Sequence, residues 1–279
     1  MEQEAHTKRV ELHHNPLHIF KASKTPAGLY ARQKWLGESK TSKWQDDFHE
    51  TLHTLLSGQS EDGSWYRSLP ETVRRLFGLH LTQRNKTLEI EKALDWLTRR
   101  TLTNENLSSM MMPVEPVSPD SYRGLPFVPG QTRTSLVSIT LFLAVVFQQG
   151  KEPSVLAHYD LLSQWVIEHA GCTHSWPDKS NALRALVVHT DFGEDPATIG
   201  LASDLAEMQE LSGQWPSPIS FYQTVNALAH LHIKQAERQW ESVCVRLLNT
   251  QNTDGSWGQE DREWNTFLVV HALKNKGCL

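Results

Sequence analysis

Apolar residues along this chain fall into two kinds of stretch that alternate. In the first kind they recur at helical spacing and leave one charged face, as in TLEIEKALDWLTRR. These amphipathic stretches cover 43-57, 86-101, 153-170, 196-210 and 235-250. The second kind is rich in Ala, Leu and Val on several faces, as in SNALRALVVH, QTVNALAHLH and NTFLVVHAL. It covers 25-37, 69-82, 131-148, 180-190, 218-233 and 263-275. A helix that is apolar nearly all round is buried on most sides. Six such helices alternating with at least five amphipathic ones predict an all-α fold of two concentric rings, an α/α barrel.

A repeated turn joins the two kinds. Gln59-xxx-Gly63-x-Trp65, Gln209-xxx-Gly213-x-Trp215 and Gln251-xxx-Gly255-x-Trp257 each follow an amphipathic stretch and precede an apolar one. Glycine gives permissive backbone where the chain reverses. The indole is expected to cover the crossover, with the Gln amide free to bond an exposed helix end. Trp176 to Trp215 spans 39 residues and Trp215 to Trp257 spans 42, which sets the repeat length. Trp65 to Trp176 spans 111 residues, about 30 more than two periods. The excess falls in 103-130, a Pro-, Ser- and Met-rich insertion with the length of a lid. Phe127 is expected where that repeat's Trp would stand. Residues 24-279 read as one toroid domain and 1-23 as an N-terminal arm.

These turns resemble the QW repeat of the terpenoid cyclase and protein prenyltransferase superfamily, which includes squalene-hopene cyclases, class II terpene cyclases and prenyltransferase β subunits. The resemblance implies an α/α toroid (an α6-α6 barrel) of about six helical hairpins, as a single β-type domain. It further implies an isoprenoid, a prenyl diphosphate or a polyene, held in the barrel cavity. Class II cyclisation starts from a carboxylic acid kept neutral inside an apolar cavity whose rings stabilise a carbocation. The family's D-x-D-D-T-A-like motif aligns with Asp178-Lys179-Ser180-Asn181-Ala182, which keeps only the first Asp. Asp178 is therefore the first candidate acid and Glu263 the second, with helix capping as the plainer reading of both. The zinc-binding Asp-x-Cys pattern of the prenyltransferases is missing, and Cys172-Thr173-His174 lies in a turn, so no metal site is expected. No cofactor is implied beyond magnesium accompanying a diphosphate substrate.

Composition narrows the partners. A formal net charge of −5 lacks the basic excess of a nucleic-acid footprint. Three cysteines without a CxxC pair suit reduced thiols and a cytoplasmic setting, with peripheral membrane contact left open. The start, MEQEAHTKRVELHH, has no apolar signal-peptide core. Arg32, Arg74, Arg133 and Arg184 each fall in a different apolar stretch, Arg74 and Arg184 at matching repeat positions. A buried guanidinium needs a partner. Either each pairs with a local carboxylate, or several converge on a diphosphate. Phe127 and Trp264 are candidate walls for the isoprenoid. Met110, Met111 and Met112 would be adaptable contacts for its chain. His80, His189, His232 and His271 recur near the ends of apolar stretches, where helix-end stabilisation is the plainer reading. Two alternatives stay open: a non-catalytic toroid that binds a lipid or a partner chain, and a homo- or heterodimer of the prenyltransferase-β kind.

Overall fold

The computed structural model describes residues 10–103, 106–173 and 175–279. Among these residues it is all-helical with no strand, as the alternating pattern predicts. The twelve α-helices are α1 (Pro26–Lys34), α2 (Ser42–Leu56), α3 (Leu69–Thr82), α4 (Leu88–Thr101), α5 (Leu107–Met110), α6 (Arg133–Val146), α7 (Pro153–Glu168), α8 (Trp176–Leu186), α9 (Pro196–Met208), α10 (Phe221–Leu228), α11 (Lys234–Thr250) and α12 (Arg262–Asn275). Side-chain caps start several of them, while α8 begins at Trp176, four residues ahead of the apolar stretch assigned to it. The side chains of Thr25, Thr41 and Ser68 cap α1, α2 and α3, accepting from Gly28, Trp44 and Glu71 backbone N–H groups. Asp195 caps α9, with Pro196 in its first turn.

The apolar stretches form the inner ring. Helices α1, α3, α6, α8, α10 and α12 pack in that order, and α12 packs back onto α1, which closes the barrel. Helix α6 shows why it lies inside: every residue from Val137 to Ala144 is buried. The amphipathic α2, α4, α7, α9 and α11 lie outside, each with its charged face to water. Residues 10–20 occupy the sixth outer place. Their 3-10 turn, Pro16–Phe20, packs on both α1 and α12, and Val10 N–H donates to Cys278 O at 3.0 Å.

The repeated turns bind each hairpin to the next. Gln59 Nε2 donates to Gly63 O in its own turn and to Glu89 O of α4 at 2.8 Å. Gln209 and Gln251 do the same, to Gln239 O of α11 and to His14 O of the N-terminal segment. Trp65, Trp215 and Trp257 are fully buried, and their indole N–H groups donate to Ser57 O, Leu205 O and Leu247 O, at or near the ends of outer helices. Gly63 shows what the glycine is for: φ is +92°, and an added Cβ would come within 2.2 Å of Lys92 O on α4.

The insertion folds over one end of the barrel. Its stem is tied by Val114 N–H to Gln131 O at 3.1 Å and Arg133 N–H to Met112 O at 2.9 Å. Beyond a 3-10 turn at Pro119–Tyr122 it drops Leu125 and Phe127 into the core. Phe127 does not take a tryptophan's place over a crossover. It lies inside the inner ring, edge-on to Phe142 of α6 at 5.2 Å and near Phe77 of α3. The methionines take other places as well. Met110 is core beside Thr134, Met111 Sδ accepts from the Trp165 indole, and Met112 is half exposed.

Candidate functional site: two chambers inside the barrel

Two adjoining cavities open within the inner ring. The first, of about 480 Å³, lies at the N-terminal ends of α1 and α12 and under the insertion. Pro26, Leu55, Phe77, Leu81, Leu125 and Trp264 give it an apolar wall. The second, of about 180 Å³, lies further along the barrel toward the C-terminal ends of α3, α10 and α12. The two share Phe77, Leu81 and Trp264 as walls. Aromatic rings dominate that waist. Trp264 stacks on Phe267 with centroids 5.3 Å apart and meets Phe77 edge-on at 5.9 Å. The Trp264 indole N–H donates to Leu125 O, so the insertion fixes the ring's orientation.

The rim of the first chamber carries both signs of charge. Arg74, Arg123 and Arg262 stand there with Asp261 and Glu263. Each arginine already has an acidic neighbour: Glu71 lies 3.8 Å from Arg74, Asp120 3.1 Å from Arg123 and Asp254 3.3 Å from Arg262. Arg74 also donates to Asp120 O and Ser121 O of the insertion, so it latches the lid as well as facing the chamber. The rim is thus mixed rather than purely basic.

The second chamber is different. Its only charged wall residues among those described are Arg84 and Arg184, and no acid faces it. Arg84 is exposed and lies over the Tyr30 ring at 4.7 Å. Arg184 is 3% exposed. Its Nη2 donates to Asn226 Oδ1, while its Nε is buried without a partner. Asn226 is fixed in turn by donating to Leu268 O at 2.9 Å, beside His271 Nδ1 at 3.3 Å. His80, His230 and His271 complete the polar wall, and His80 Nδ1 is also buried without a partner. Burial pushes His80 down to about 4, with Arg84 adding to it; burial and then Arg184 push His230 to about 3 and His271 to about 4. All three imidazoles are therefore neutral at pH 7. Burial also lowers Arg184, to about 9, which leaves it cationic there.

The two candidate acids are placed differently. Asp178 is buried on the first turn of α8, outside both chambers. Its carboxylate accepts from Gln131 N–H, Thr132 N–H, the Thr132 hydroxyl and the Ser135 hydroxyl. That set anchors the end of the insertion to α6 and α8. Gly130 is needed there, because a Cβ would come within 1.7 Å of Ser135 Oγ. Asn181, one turn on, clamps Val128 from both sides of its peptide. Glu263 does line the first chamber, and its Oε1 accepts from the Ser23 and Thr25 hydroxyls.

The remaining arginines do not reach either chamber. Arg32 donates to Asp47 and Glu38, both at 2.8 Å, and braces α1 against α2. Arg133 donates to Thr101 O at 2.8 Å. Arg74 and Arg184, alike in repeat position, face separate chambers and do not converge. Among the histidines named from sequence, His80 and His271 reach the second chamber, whereas His189 bonds Gly150 O. His230, Asn226, Arg84 and Arg123 are wall residues that the sequence reading passed over. The signal for two of them was present in QTVNALAHLH, where Asn226 and His230 fall on one helical face. His174 lies outside the described residues. Among those described, no three His, Cys, Asp or Glu side chains come together as a metal site would require.

No protein-family model matches this chain, and no curated protein matches it. Solved structures do. A crystal structure of a protein from Actinoplanes is 14% identical, with 92% of this chain and 90% of that chain covered at a TM-score of 0.58. The type II terpene cyclase MstE from Scytonema, in complex with its substrate geranylgeranyl dihydroxybenzoate, is 10% identical. There the coverage is 92% and 88%, at a TM-score of 0.56. At such identities the likeness is one of fold, and the chain has a terpene-cyclase-like fold. No helix among the described residues is long and apolar enough to cross a membrane.

Proposed function

We propose that the protein binds an isoprenoid inside the barrel, with the apolar chain in the first chamber and across the aromatic waist. The observation that carries this reading is the pair of adjoining chambers sharing Phe77, Leu81 and Trp264. The first chamber alone, about 480 Å³, falls within the roughly 300–1,000 Å³ usual for small-molecule sites. Each methylene buried there contributes roughly 0.8 kcal/mol. The ligand named for the Scytonema cyclase carries a geranylgeranyl chain, which supports the choice of ligand class. Titration with geranylgeraniol, followed by tryptophan fluorescence, tests the reading. Saturable quenching in the wild type, lost in Leu81→Trp, is expected, because that indole would fill the shared wall. No saturable binding of any polyprenyl compound to the wild type would end it.

Acid-initiated cyclisation is a second reading, favoured by the position of Glu263 on the first chamber's wall. Protonated, Glu263 could deliver a proton to an alkene of the chain, and Phe77, Trp264 and Phe267 could stabilise the cation formed. Loss of a proton from the cyclised cation to the Glu263 carboxylate or to water would complete the isomerisation. Incubation with geranylgeranyl diphosphate and mass spectrometry should give a product of unchanged mass with fewer double bonds, absent with Glu263→Gln. Recovery of unreacted substrate from the wild type, with binding retained, leaves a carrier rather than a cyclase.

A further inference from the structure

The second chamber holds a feature that an isoprenoid tail does not explain. Burying a cation without a counter-charge is costly, and such groups are ordinarily paired. Arg32 obeys this, with two carboxylates at 2.8 Å. Arg184 does not: its one hydrogen bond among the described residues goes to a neutral amide, its Nε is unpartnered, and its chamber contains no acid. A guanidinium offers a planar fork of five N–H donors, matched to a carboxylate. Around it stand neutral imidazoles, His230 and His271, able to donate one N–H each, and the Asn226 amide. A polar pocket of about 180 Å³ with one buried positive charge therefore adjoins an apolar chamber of about 480 Å³.

The geometry points to a carboxylate subsite at Arg184, so that the ligand is an amphipathic acid whose head group reaches the second chamber and whose chain fills the waist and the first. This rests on the isoprenoid reading for the chemistry of the chain but not for that of the head. Charge decides between head groups. A carboxylate carries one negative charge, which Arg184 balances alone. A diphosphate carries more, and the only other cation on this wall among the described residues is Arg84, exposed and lying over Tyr30. Neutral histidines are what a monoanion needs, since they donate hydrogen bonds without adding unbalanced charge.

Three probes separate the outcomes: geranylgeranoic acid, geranylgeraniol and a straight-chain fatty acid of the same length. Each is titrated against the wild type and Arg184→Met, with the thermal melt confirming that both proteins are folded. The acid is expected to bind wild type at least about tenfold more tightly than the alcohol, as charged hydrogen bonds are worth. Arg184→Met should erase that advantage, bringing the acid's affinity to within about threefold of the alcohol's in the same variant. If acid and alcohol bind wild type alike, the carboxylate subsite is overturned while isoprenoid binding stands. If the fatty acid alone binds, and loses affinity in Arg184→Met, the subsite stands and the isoprenoid chain is wrong. Absence of any Arg184-dependent carboxylate binding overturns the subsite.

Discussion

Asp178 and Arg184 lie on one helix, six positions apart, and both are buried. Their surroundings could hardly differ more. Asp178 meets four donors from Gln131 and Thr132, which follow the insertion, and from Ser135 of α6, so it holds the insertion's anchor. Arg184, among the described residues, meets one amide and lines the second chamber. The contrast separates two uses of a buried charge. One that the protein satisfies fully serves the architecture, and one left partly unsatisfied on a chamber wall calls for an explanation, which the carboxylate subsite proposed at Arg184 supplies. The acid that sequence put first thus lands on the architectural side, and an arginine it grouped with three others stands apart.

The sharpest way to break this comparison is Asp178→Ala. It strands two backbone N–H groups and two hydroxyls where the insertion meets α8, and buried donors left unmet cost about 1–3 kcal/mol each. We expect a loss of about 3 kcal/mol or more in a denaturant titration. Asp178→Asn, which keeps an acceptor, should lose less. A variant that kept full stability but lost all product formation would move Asp178 to the catalytic side.

A second pair of variants compares two arginines. Arg32→Met removes the partner of the buried Asp47, whose carboxyl the Arg32 bond holds below its usual range. A cost of about 3 kcal/mol is expected, since one buried charge is left with less compensation. Arg184→Met removes a charge that the fold does not pair, and equal or slightly raised stability is expected, by about 1 kcal/mol. Thermal melts of both proteins decide this. A large loss for Arg184→Met would make Arg184 another strut.

Sequence made the rings readable because inner and outer helices differ in how many faces are apolar, as α6 and α11 show. The Gln, Gly and Trp of each turn were legible for a similar reason: they do their work within one hairpin and its neighbour. The sixth outer position was not legible, because residues 10–20 fill it with a 3-10 turn and loop that have no helical period. The chambers were legible only in kind. Whether an arginine in an apolar helix meets a carboxylate depends on which residue of another hairpin faces it. Asp47 lies 15 positions from Arg32, and Asn226 lies 42 from Arg184. Rotation of each helix about its own axis decides such pairings, and periodicity fixes that only to within a face. Phe127 shows the same limit. Its aromatic character was visible, but an insertion can carry a ring into the barrel where a plain turn would have laid it over a crossover.

The smallest effect expected is also the most local. His80, His230 and His271 are depressed in the folded chain and ordinary in the unfolded one, so their contribution to stability is fully present above the unfolded pKa near 6.5. It is lost as pH falls from there through about 4 for His80 and His271 and about 3 for His230, because the unfolded state takes up protons that the folded state refuses. Burial is the first cause for all three, and Arg184 is the second for His230 and His271 but not for His80. In Arg184→Met, then, the imidazole signals of His230 and His271 should titrate at higher pH than in the wild type by NMR. They should remain below 6.5, since burial persists, and His80, which Arg184 reaches only through His271, should move less than either. Identical titrations in the two proteins would mean that Arg184 does not project its charge into the second chamber, and the contrast with Asp178 would lose its electrostatic half.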